Sequence, residues 1–239
     1  MTAHAGPDTG RSTGPAVSPD RDFARDGACR LPGAATPLLA ALAELFAGLS
    51  PQRAGHRLEG DPIVRALTAP GGLLQGLAAA RIGPAARAVR AIAFDKSPDA
   101  NWALGWHQDR TIAVAARHAV DGFGPWTTKA GILHVAPPFA LLADMLTMRI
   151  HLDPVPADNA PLLIAPGSHR LGLVAEQDMA DAVARCGTYA CHAGRGDVWL
   201  YATPILHASE RARSGRRRRV LQLDFAAADL PPPLVWRGV

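Results

Sequence analysis

The 239-residue sequence is poor in cysteine and has no long uninterrupted apolar run. Its three cysteines, Cys29, Cys186 and Cys191, are odd in number and form no Cys-x-x-Cys pair, which argues against a disulfide framework and a structural zinc site. The longest apolar stretch, "PLLAALAELFAGL", is too short to cross a bilayer and is interrupted by Glu44. We therefore expect neither a membrane-spanning protein nor a disulfide-rich secreted one.

The beginning of the chain also lacks an apolar segment. Its first residues, "MTAHAGPDTGRSTGPAVSPD", contain no hydrophobic stretch of the kind found in secretory signals, so we expect a cytoplasmic protein. Residues 1–30 are rich in Gly, Pro, Ser, Thr and Asp, a composition typical of a flexible tail. Residues 31–239 are long enough for one domain, and the sequence is 48% hydrophobic, which is sufficient for a core.

A strong overall charge is absent, because the formal net charge is only +4. One basic run, "RARSGRRRR" at residues 211–219, supplies much of this imbalance. No aromatic residues alternate with these arginines and no nucleic-acid-binding motif accompanies them. We interpret the run as a solvated loop that leads into a strand, and expect no nucleic-acid partner.

The patterns that are present place helices before strands. Helical periodicity predicts helices over 36–50, capped by Thr36, and over 61–69 and 71–82. Short apolar or alternating runs between Pro and Gly turns predict strands over 87–95, 111–116, 145–153, 160–166, 188–193, 196–201 and 218–226. This order is typical of a β sandwich or barrel with a helical N-terminal flank. Residues 117–140 are irregular and predict a long loop for binding or closure.

Two His-x-Asp triplets suggest metal chemistry. One is His107-Gln108-Asp109 and the other is His151-Leu152-Asp153. On a strand, residues i and i+2 point to the same face, so either pair is able to supply two adjacent ligands to one ion. A second histidine from a distant part of the chain would complete a 2-His-1-carboxylate face, which leaves coordination positions open and suits Fe(II).

The distant histidine is predicted to be His207, with Ser209 two residues later and Arg218 eleven residues later. Alternation divides the last strand into an apolar face with Arg219, Leu221, Leu223 and Phe225, and a more polar face with Arg218, Val220 and Gln222. A buried guanidinium requires an anionic partner, and the distal carboxylate of a dicarboxylate would serve.

Four segments together resemble the phytanoyl-CoA dioxygenase family of Fe(II)/2-oxoglutarate-dependent oxygenases. They appear in the family's order and span most of residues 90–226: "FDKSPDANWALGWHQD", "RIHLDPVPADNAPLLIAPGSHRLG", "GDVWLYATPILHAS" and "RRRRVLQLDFA". The resemblance implies a mainly β fold with flanking helices around a double-stranded β-helix, the jelly roll of cupin-like proteins. It also implies Fe(II), 2-oxoglutarate and O2 as cofactors.

Residue by residue, the resemblance assigns roles to the matching positions. The implied iron ligands are His107, Asp109 and His207. The implied cosubstrate contacts are Arg218 on the C5 carboxylate, Ser209 beside it, Asn101 in the segment before the triplet, and Arg149. Arg149 departs from the family pattern, since some members have a Trp there. It is therefore assigned either to 2-oxoglutarate or to an anionic substrate.

The strand count favours the first triplet. Five predicted strands separate Asp109 from His207 but only three separate Asp153 from it, and five better fit opposite strands of a jelly roll. Predicted substrate contacts come from the second triplet's strand and from the long loop or its surroundings: His151, Arg110, Trp126, His134 and Lys129. Lys96 is interpreted as a charge at the end of a strand.

The implied reaction is hydroxylation of an unactivated C–H bond of a small molecule, such as an amino acid, an acyl compound or a natural-product intermediate, with succinate and CO2 as co-products. Asp109 argues against halogenation, because related halogenases lack this carboxylate. Desaturation, cyclisation and epimerisation use the same ligands and stay open, as does a redox-silent jelly-roll isomerase or hydrolase. We expect a monomer or homodimer without a membrane partner.

Overall fold

Short strands make up most of the secondary structure. The computed structural model describes residues 21–50, 52–53 and 55–239. The helices in this part of the chain are α1 Phe23–Asp26, α2 Leu39–Ala47, α3 Pro62–Leu67, α4 Leu73–Ile82, α5 Phe139–Ala143 and α6 Met179–Cys186. The strands are β1 Ala28–Leu31, β2 Gly55–Arg57, β3 Arg87–Lys96, β4 Leu104–His107, β5 Ile112–Ala113, β6 Trp126–Lys129, β7 Ile132–Val135, β8 Leu146–His151, β9 Leu162–Ile164, β10 Tyr189–Cys191, β11 Val198–Ala202, β12 His207–Ser209 and β13 Arg218–Ala226.

Two antiparallel sheets form the core of the fold. The six-stranded major sheet has the order β1-β11-β8-β13-β3-β2, and the four-stranded minor sheet has the order β10-β9-β12-β4. Apolar side chains from both sheets pack together between them, namely Trp199, Tyr201, Leu162, Ile164 and Cys191. This arrangement confirms the predicted mainly β fold with a double-stranded β-helix core. A third, three-stranded sheet has the order β5-β7-β6.

The N-terminal helices cover the outer face of the major sheet. The predicted alternation in β13 is present, because its apolar side chains pack against α2, α3 and α4 while Arg218 and Gln222 line a cavity inside the fold. The outer layer is fully buried and includes Leu221, Leu223, Phe225, Leu42, Phe46, Val64 and Leu74. Burying one face of each element in this way orients the polar face of β13 towards the interior.

The three predicted helices are present with altered boundaries. Helix α3 begins where Asp61 accepts hydrogen bonds from the backbone N–H groups of Ile63 and Val64, at 2.9 and 3.0 Å. The prediction of Thr36 as a helix cap is wrong. Thr36 instead begins a turn of 3-10 helix that ends at Leu38, and α2 follows it without a side-chain cap.

The predicted tail over residues 1–30 is wrong for the part that the structure describes. Residues 21–30 contain α1 and most of β1, and β1 is an edge strand of the major sheet in which Ala28 lies opposite Tyr201. The strand "ACRL" has too few residues for an alternating pattern to be recognised in the sequence. Its strand conformation is identified from its pairing with β11. Residues 1–20 lie outside the described residues.

The predicted loop over 117–140 is wrong in its centre, where β6 and β7 form a hairpin that pairs with β5. The turn between them places Ala130 at φ 52° and Gly131 at φ 83°, the two positive angles of a type I′ turn. Alanine rarely adopts this conformation, so the sequence lacks the Asn-Gly signal that usually predicts such a hairpin. Strand β5 is also shorter than the prediction of 111–116.

Cys29, Cys186 and Cys191 all carry free thiols. Among the residues described, no helix combines the length and apolar character needed to cross a bilayer.

Truncation of a buried leucine in the outer layer should weaken the fold. Leu221 is fully buried, so Leu221→Ala is expected to lower the free energy of unfolding by about 2–5 kcal/mol through lost burial and a residual cavity. Leu173→Ala is the matched control, because Leu173 is 59% exposed and its truncation should change stability by less than about 0.5 kcal/mol. Urea unfolding of both variants gives the comparison, and equal losses would contradict the assigned packing.

Candidate metal centre

Three potential ligands converge at the edge of the minor sheet. His107 ends β4, Asp109 follows two residues later, and His207 begins β12. The two histidines are directly opposite partners in the antiparallel pair β4–β12, with ring centroids 4.2 Å apart. One potential ligand atom from each of the three residues lies within 4.8 Å of the other two. The structure therefore brings together the three residues that the sequence placed at one metal.

The residue between His107 and Asp109 explains why both point inward. Gln108 is buried on the opposite side, where its amide nitrogen donates to the carbonyls of Gly172 and Pro204 at 2.9 and 2.8 Å. Its amide oxygen accepts from the backbone N–H of Val174 at 3.0 Å. This anchoring fixes the backbone of the triplet, so the two neighbouring side chains share the other face.

Backbone carbonyls orient both imidazoles so that Nε2 is the ring nitrogen available to a metal. Nδ1 of His107 lies 2.7 Å from the carbonyl oxygen of Gly105, and Nδ1 of His207 lies 2.9 Å from that of Ile205. A carbonyl only accepts, so each Nδ1 donates its N–H and Nε2 is the ring nitrogen left for a metal. Burial lowers the pKa of His207 to about 4, so this ring is neutral near pH 7. Two imidazoles and one carboxylate fit Fe(II).

A guanidinium that the sequence analysis missed holds the ligand carboxylate. Arg90 on β3 donates from Nη2 to Oδ2 of Asp109 at 3.1 Å and from Nε to Oδ2 of Asp224. Thr147 donates to the other oxygen of Asp224 at 3.2 Å. Burial raises the pKa of Asp109, but Arg90 and then the two imidazoles outweigh it and bring that pKa to about 2. Asp109 is therefore ionised near neutral pH.

The metal-ligand cluster opens into a cavity of about 230 Å³ inside the double-stranded β-helix. Strand β3 lines it with Arg90, Ile92, Phe94 and Lys96, which share one face because they alternate along the strand. This alternation is visible in "RAVRAIAFDK", so the sequence contained a signal that would have grouped Arg90 and Lys96. The cavity wall thus continues from the metal ligands to the far end of β3.

Lys96 is the last residue of β3, as predicted, but its charge is not at the surface. The side chain is buried, and its Nζ donates to the carbonyl oxygens of Trp102 and Glu210, both at 2.7 Å, and to Oγ of Ser209 at 3.1 Å. Burial, followed by the charges of Arg218 and Arg149, lowers the pKa of Lys96 to about 7. An anion bound beside it would favour the protonated form.

Two further guanidiniums line the same cavity. Arg218 donates from Nη1 to the carbonyl oxygen of Ala160, and Arg149 donates to Oε1 of Gln222 at 3.4 Å. The Nε of each is buried without a hydrogen-bond partner, and no carboxylate of the described residues lies within 4 Å of either group. Burial, and then Arg149, lowers the pKa of Arg218 to about 9. The pair fits a dianionic ligand.

Of the other predicted cosubstrate contacts, one lines the cavity and one does not. Ser209 is part of the wall, next to Lys96. Asn101 is not, because its side chain accepts from the backbone N–H of Ala212 and donates to the carbonyl of the same residue, both at 2.8 Å. Asn101 instead ties the segment before β4 to the segment after β12.

Of the predicted substrate contacts, Lys129 lines the cavity and the other four do not. Arg110 donates to the carbonyl of Val174, and Trp126 packs in an apolar cluster at the end of the barrel. His134 is buried in β7, and His151 is buried in β8 opposite Val220. Trp126 lies outside the cavity because side chains alternate along β6. Lys129 faces the cavity, and Trp126 lies on the other face of the strand.

The second triplet has a structural explanation. Asp153 accepts from Nε and Nη2 of Arg219, at 2.9 and 2.7 Å, and from its backbone N–H at 2.9 Å. Two more arginines of the basic run form ion pairs, Arg216 with Asp158 and Arg217 with Asp95. These carboxylates partly neutralise the run and fix the entry to β13.

A model of the phytanoyl-CoA dioxygenase family (PhyH) matches residues 23–220. The chain belongs to the phytanoyl-CoA dioxygenase family. This confirms the resemblance of its motifs and the predicted class of enzyme, a non-haem oxygenase that depends on Fe(II) and 2-oxoglutarate. No curated protein matches the chain at a significant level.

Several solved structures share the fold at low sequence identity. EctD from S. alaskensis, in its apoform, is 20% identical with a TM-score of 0.63, over 91% of this chain and 78% of that one. HygX from Streptomyces hygroscopicus, with nickel and 2-oxoglutarate bound, is 14% identical with a TM-score of 0.57, over 85% and 84%. The epimerase SnoN, in complex with Fe3+, alpha ketoglutarate and nogalamycin RO, is 16% identical with a TM-score of 0.56, over 88% of each chain.

Removal of the Arg90 guanidinium should lower both the free energy of unfolding and the affinity for the metal. Arg90→Met leaves Asp109 and Asp224 without their shared cation, so we expect a loss of about 3–5 kcal/mol in the free energy of unfolding. We also expect a metal affinity about 10–100-fold weaker, because the ligand carboxylate is no longer oriented. Chemical unfolding and equilibrium dialysis with Fe(II) under anaerobic conditions measure the two effects.

The double variant Arg90→Met/Asp224→Asn provides the control for this experiment. It removes one of the two unpaired charges and should regain much of the lost stability, while the metal affinity stays low. An unchanged metal affinity in both variants would show that Arg90 does not position Asp109.

Proposed function

We propose that this chain is an Fe(II)/2-oxoglutarate-dependent dioxygenase that hydroxylates an unactivated C–H bond of a small molecule. The observation that carries the proposal is that the three potential iron ligands and two unneutralised buried arginines line one cavity. The two arginines at the far end of the cavity match a dicarboxylate cosubstrate, which a metal-dependent isomerase or hydrolase does not require.

In this proposal His107, Asp109 and His207 hold the iron. The Nε2 lone pairs of the two imidazoles and the free oxygen of Asp109 are the donor atoms, since Nδ1 of each ring and the other carboxylate oxygen are already hydrogen-bonded. Three protein donors would leave coordination positions of Fe(II) open for ligands other than the protein.

Arg218 binds the C5 carboxylate of 2-oxoglutarate, and Ser209 and Lys96 hydrogen-bond beside it. Arg218 and Lys96 are direct cross-strand partners in the pair β13–β3, and Lys96 already donates to Ser209. The charge of Arg149 from β8 adds to the same positive region. The three cations compensate the two negative charges of the cosubstrate, and the ligand in turn relieves their mutual repulsion.

When bound, iron and 2-oxoglutarate supply the oxidising chemistry, in which O2, 2-oxoglutarate and a substrate C–H bond give succinate, CO2 and a C–OH group. The chain contributes orientation and exclusion of bulk water. The apolar part of the wall between the charged groups consists of Ile92, Phe94 and Leu162. Cζ of Arg149 lies 5.2 Å from the centroid of the Phe94 ring. Asp109 supplies the carboxylate that related halogenases lack, which supports hydroxylation.

Loss of one imidazole should abolish both metal binding and turnover. We expect His107→Ala to reduce bound Fe(II) to the level of nonspecific binding and to eliminate formation of succinate from 2-oxoglutarate and O2. His192→Ala is the control, because His192 is exposed and lies away from the cavity. Wild-type levels of tightly bound iron and succinate in His107→Ala would overturn the ligand assignment.

The proposed cosubstrate contacts predict a characteristic pH dependence. Arg218→Gln should weaken binding of 2-oxoglutarate to the Ni(II)-loaded protein by about 100-fold, measured by isothermal titration calorimetry. In the wild type, affinity should be constant below pH 7 and fall by up to about tenfold per pH unit above it, because Lys96 must take up a proton to bind the dianion.

Lys96→Met should bind 2-oxoglutarate more weakly and lose this decline above pH 7. Lys129→Met should keep it, because Lys129 interacts with Asp109 and Arg90 at the other end of the cavity. Equal slopes in the wild type and Lys96→Met would remove Lys96 from the cosubstrate site.

A further inference from the structure

The cavity contains more positive charge than the iron ligands and one cosubstrate require. Six cationic side chains line it, while Asp109 is the one carboxylate in its described wall: Arg57, Arg90, Lys96, Lys129, Arg149 and Arg218. Arg90 is neutralised by its contacts with Asp109 and Asp224. Lys96, Arg149 and Arg218 are assigned to 2-oxoglutarate. Arg57 and Lys129 remain, and we call these two the outer cations.

The outer cations lie apart from the cosubstrate end. Arg57 on β2, Ile92 on β3, Gln222 on β13 and Arg149 on β8 form one row across the major sheet. Three strand spacings separate the backbones of Arg57 and Arg149, about 14 Å. Arg57 is thus at the open edge of the sheet, on the side of the cavity away from Arg149.

The outer cations form one electrostatic group with the metal ligand. The charges that act on Lys129 are those of Arg90, Asp109 and Arg57, and those that act on Arg57 are Arg90 and Asp109. Together with the row across the major sheet, these interactions place the outer cations beside the metal ligands, on the side of the cavity away from Arg149.

Within the described residues, no carboxylate lies within 4 Å of either outer cation. Nε of Arg57 is buried without a hydrogen-bond partner, and Nζ of Lys129 bonds only to the hydroxyl of Thr111 at 2.9 Å. Burial, and then the charge of Arg90, lowers the pKa of both groups. Two partly buried, mutually repelling cations are stabilised by an oxyanion that is shared between them.

We propose that the substrate of this enzyme carries an oxyanion, a carboxylate or a phosphate, which Arg57 and Lys129 bind at the outer end of the cavity. This inference rests on the proposed function, because it names the substrate class of the same site. The oxyanion anchors one end of a small molecule, so that its carbon chain extends over the metal ligands. Neutral analogues of the substrate lack this anchor and bind poorly.

Anion binding to the Ni(II)-loaded protein saturated with 2-oxoglutarate tests the proposal without turnover. Inorganic phosphate and acetate are titrated separately, each against chloride at matched ionic strength, and binding is followed by calorimetry and by the rise in Tm. We expect at least one of the two probes to bind with a stoichiometry of one. Binding of phosphate alone indicates a phosphate ester as substrate, and binding of acetate alone indicates a carboxylic acid.

The variants assign that binding to the outer cations. Arg57→Gln/Lys129→Gln should lower the affinity for the probe by at least about tenfold and leave the affinity for 2-oxoglutarate within about twofold of the wild type. Arg65→Gln is the matched control, since Arg65 is exposed on α3 behind the major sheet and its loss should change neither affinity.

Three outcomes would overturn the proposal: no binding of either probe beyond that of chloride, unchanged binding in the double variant, or a loss of 2-oxoglutarate affinity in that variant as large as in Arg218→Gln. Failure of the proposed function has a different signature. In that case Arg218→Gln binds 2-oxoglutarate as well as the wild type does, whatever the outer cations bind.

Discussion

The guanidinium of Arg90 connects the major sheet to the metal centre. It lies between two buried carboxylates, one from the core strand β13 and one from the ligand triplet that follows β4 in the minor sheet. Asp224 alone in this environment would be an uncompensated charge, and Asp109 alone would not be fixed in direction. The same guanidinium therefore compensates a buried charge in the core and orients the ligand carboxylate. The stability of the core and the function of the site are linked through it.

Positive charge is distributed along the cavity in an ordered way. The cations from β3, β8 and β13 gather at one end, Arg90 is neutralised near the metal ligands, and the two outer cations lie at the opposite edge. Under the two proposals, a cavity with this distribution of charge would bind one anion at each end and the metal between them. Two different anions then have distinct places, so a dicarboxylate and an anionic substrate need not compete for one subsite.

Much of the fold and of the metal centre was predictable because both depend on local patterns. The alternation in β13 placed Arg218 inside and Leu221 outside, and the motif around His107 had the spacing that a strand imposes. Trp126 and His134 were predicted as substrate contacts but lie outside the cavity, because their placement depends on the path of residues 117–140, whose hairpin turn at Ala130 and Gly131 lacks a sequence signal. Lys96 and Arg90 were missed because a charged residue in a strand is usually exposed, and only the closed barrel makes their face interior.

The side-chain ties around the two ligand strands have a thermodynamic consequence. Lys96 joins the segment before β4 to the segment after β12 through the carbonyls of Trp102 and Glu210, and Asn101 repeats this connection through Ala212. With both flanks tied, the facing positions of His107 and His207 are fixed by the protein rather than by the ion. Little conformational entropy is then lost when a metal arrives, so most of the coordination energy appears as affinity.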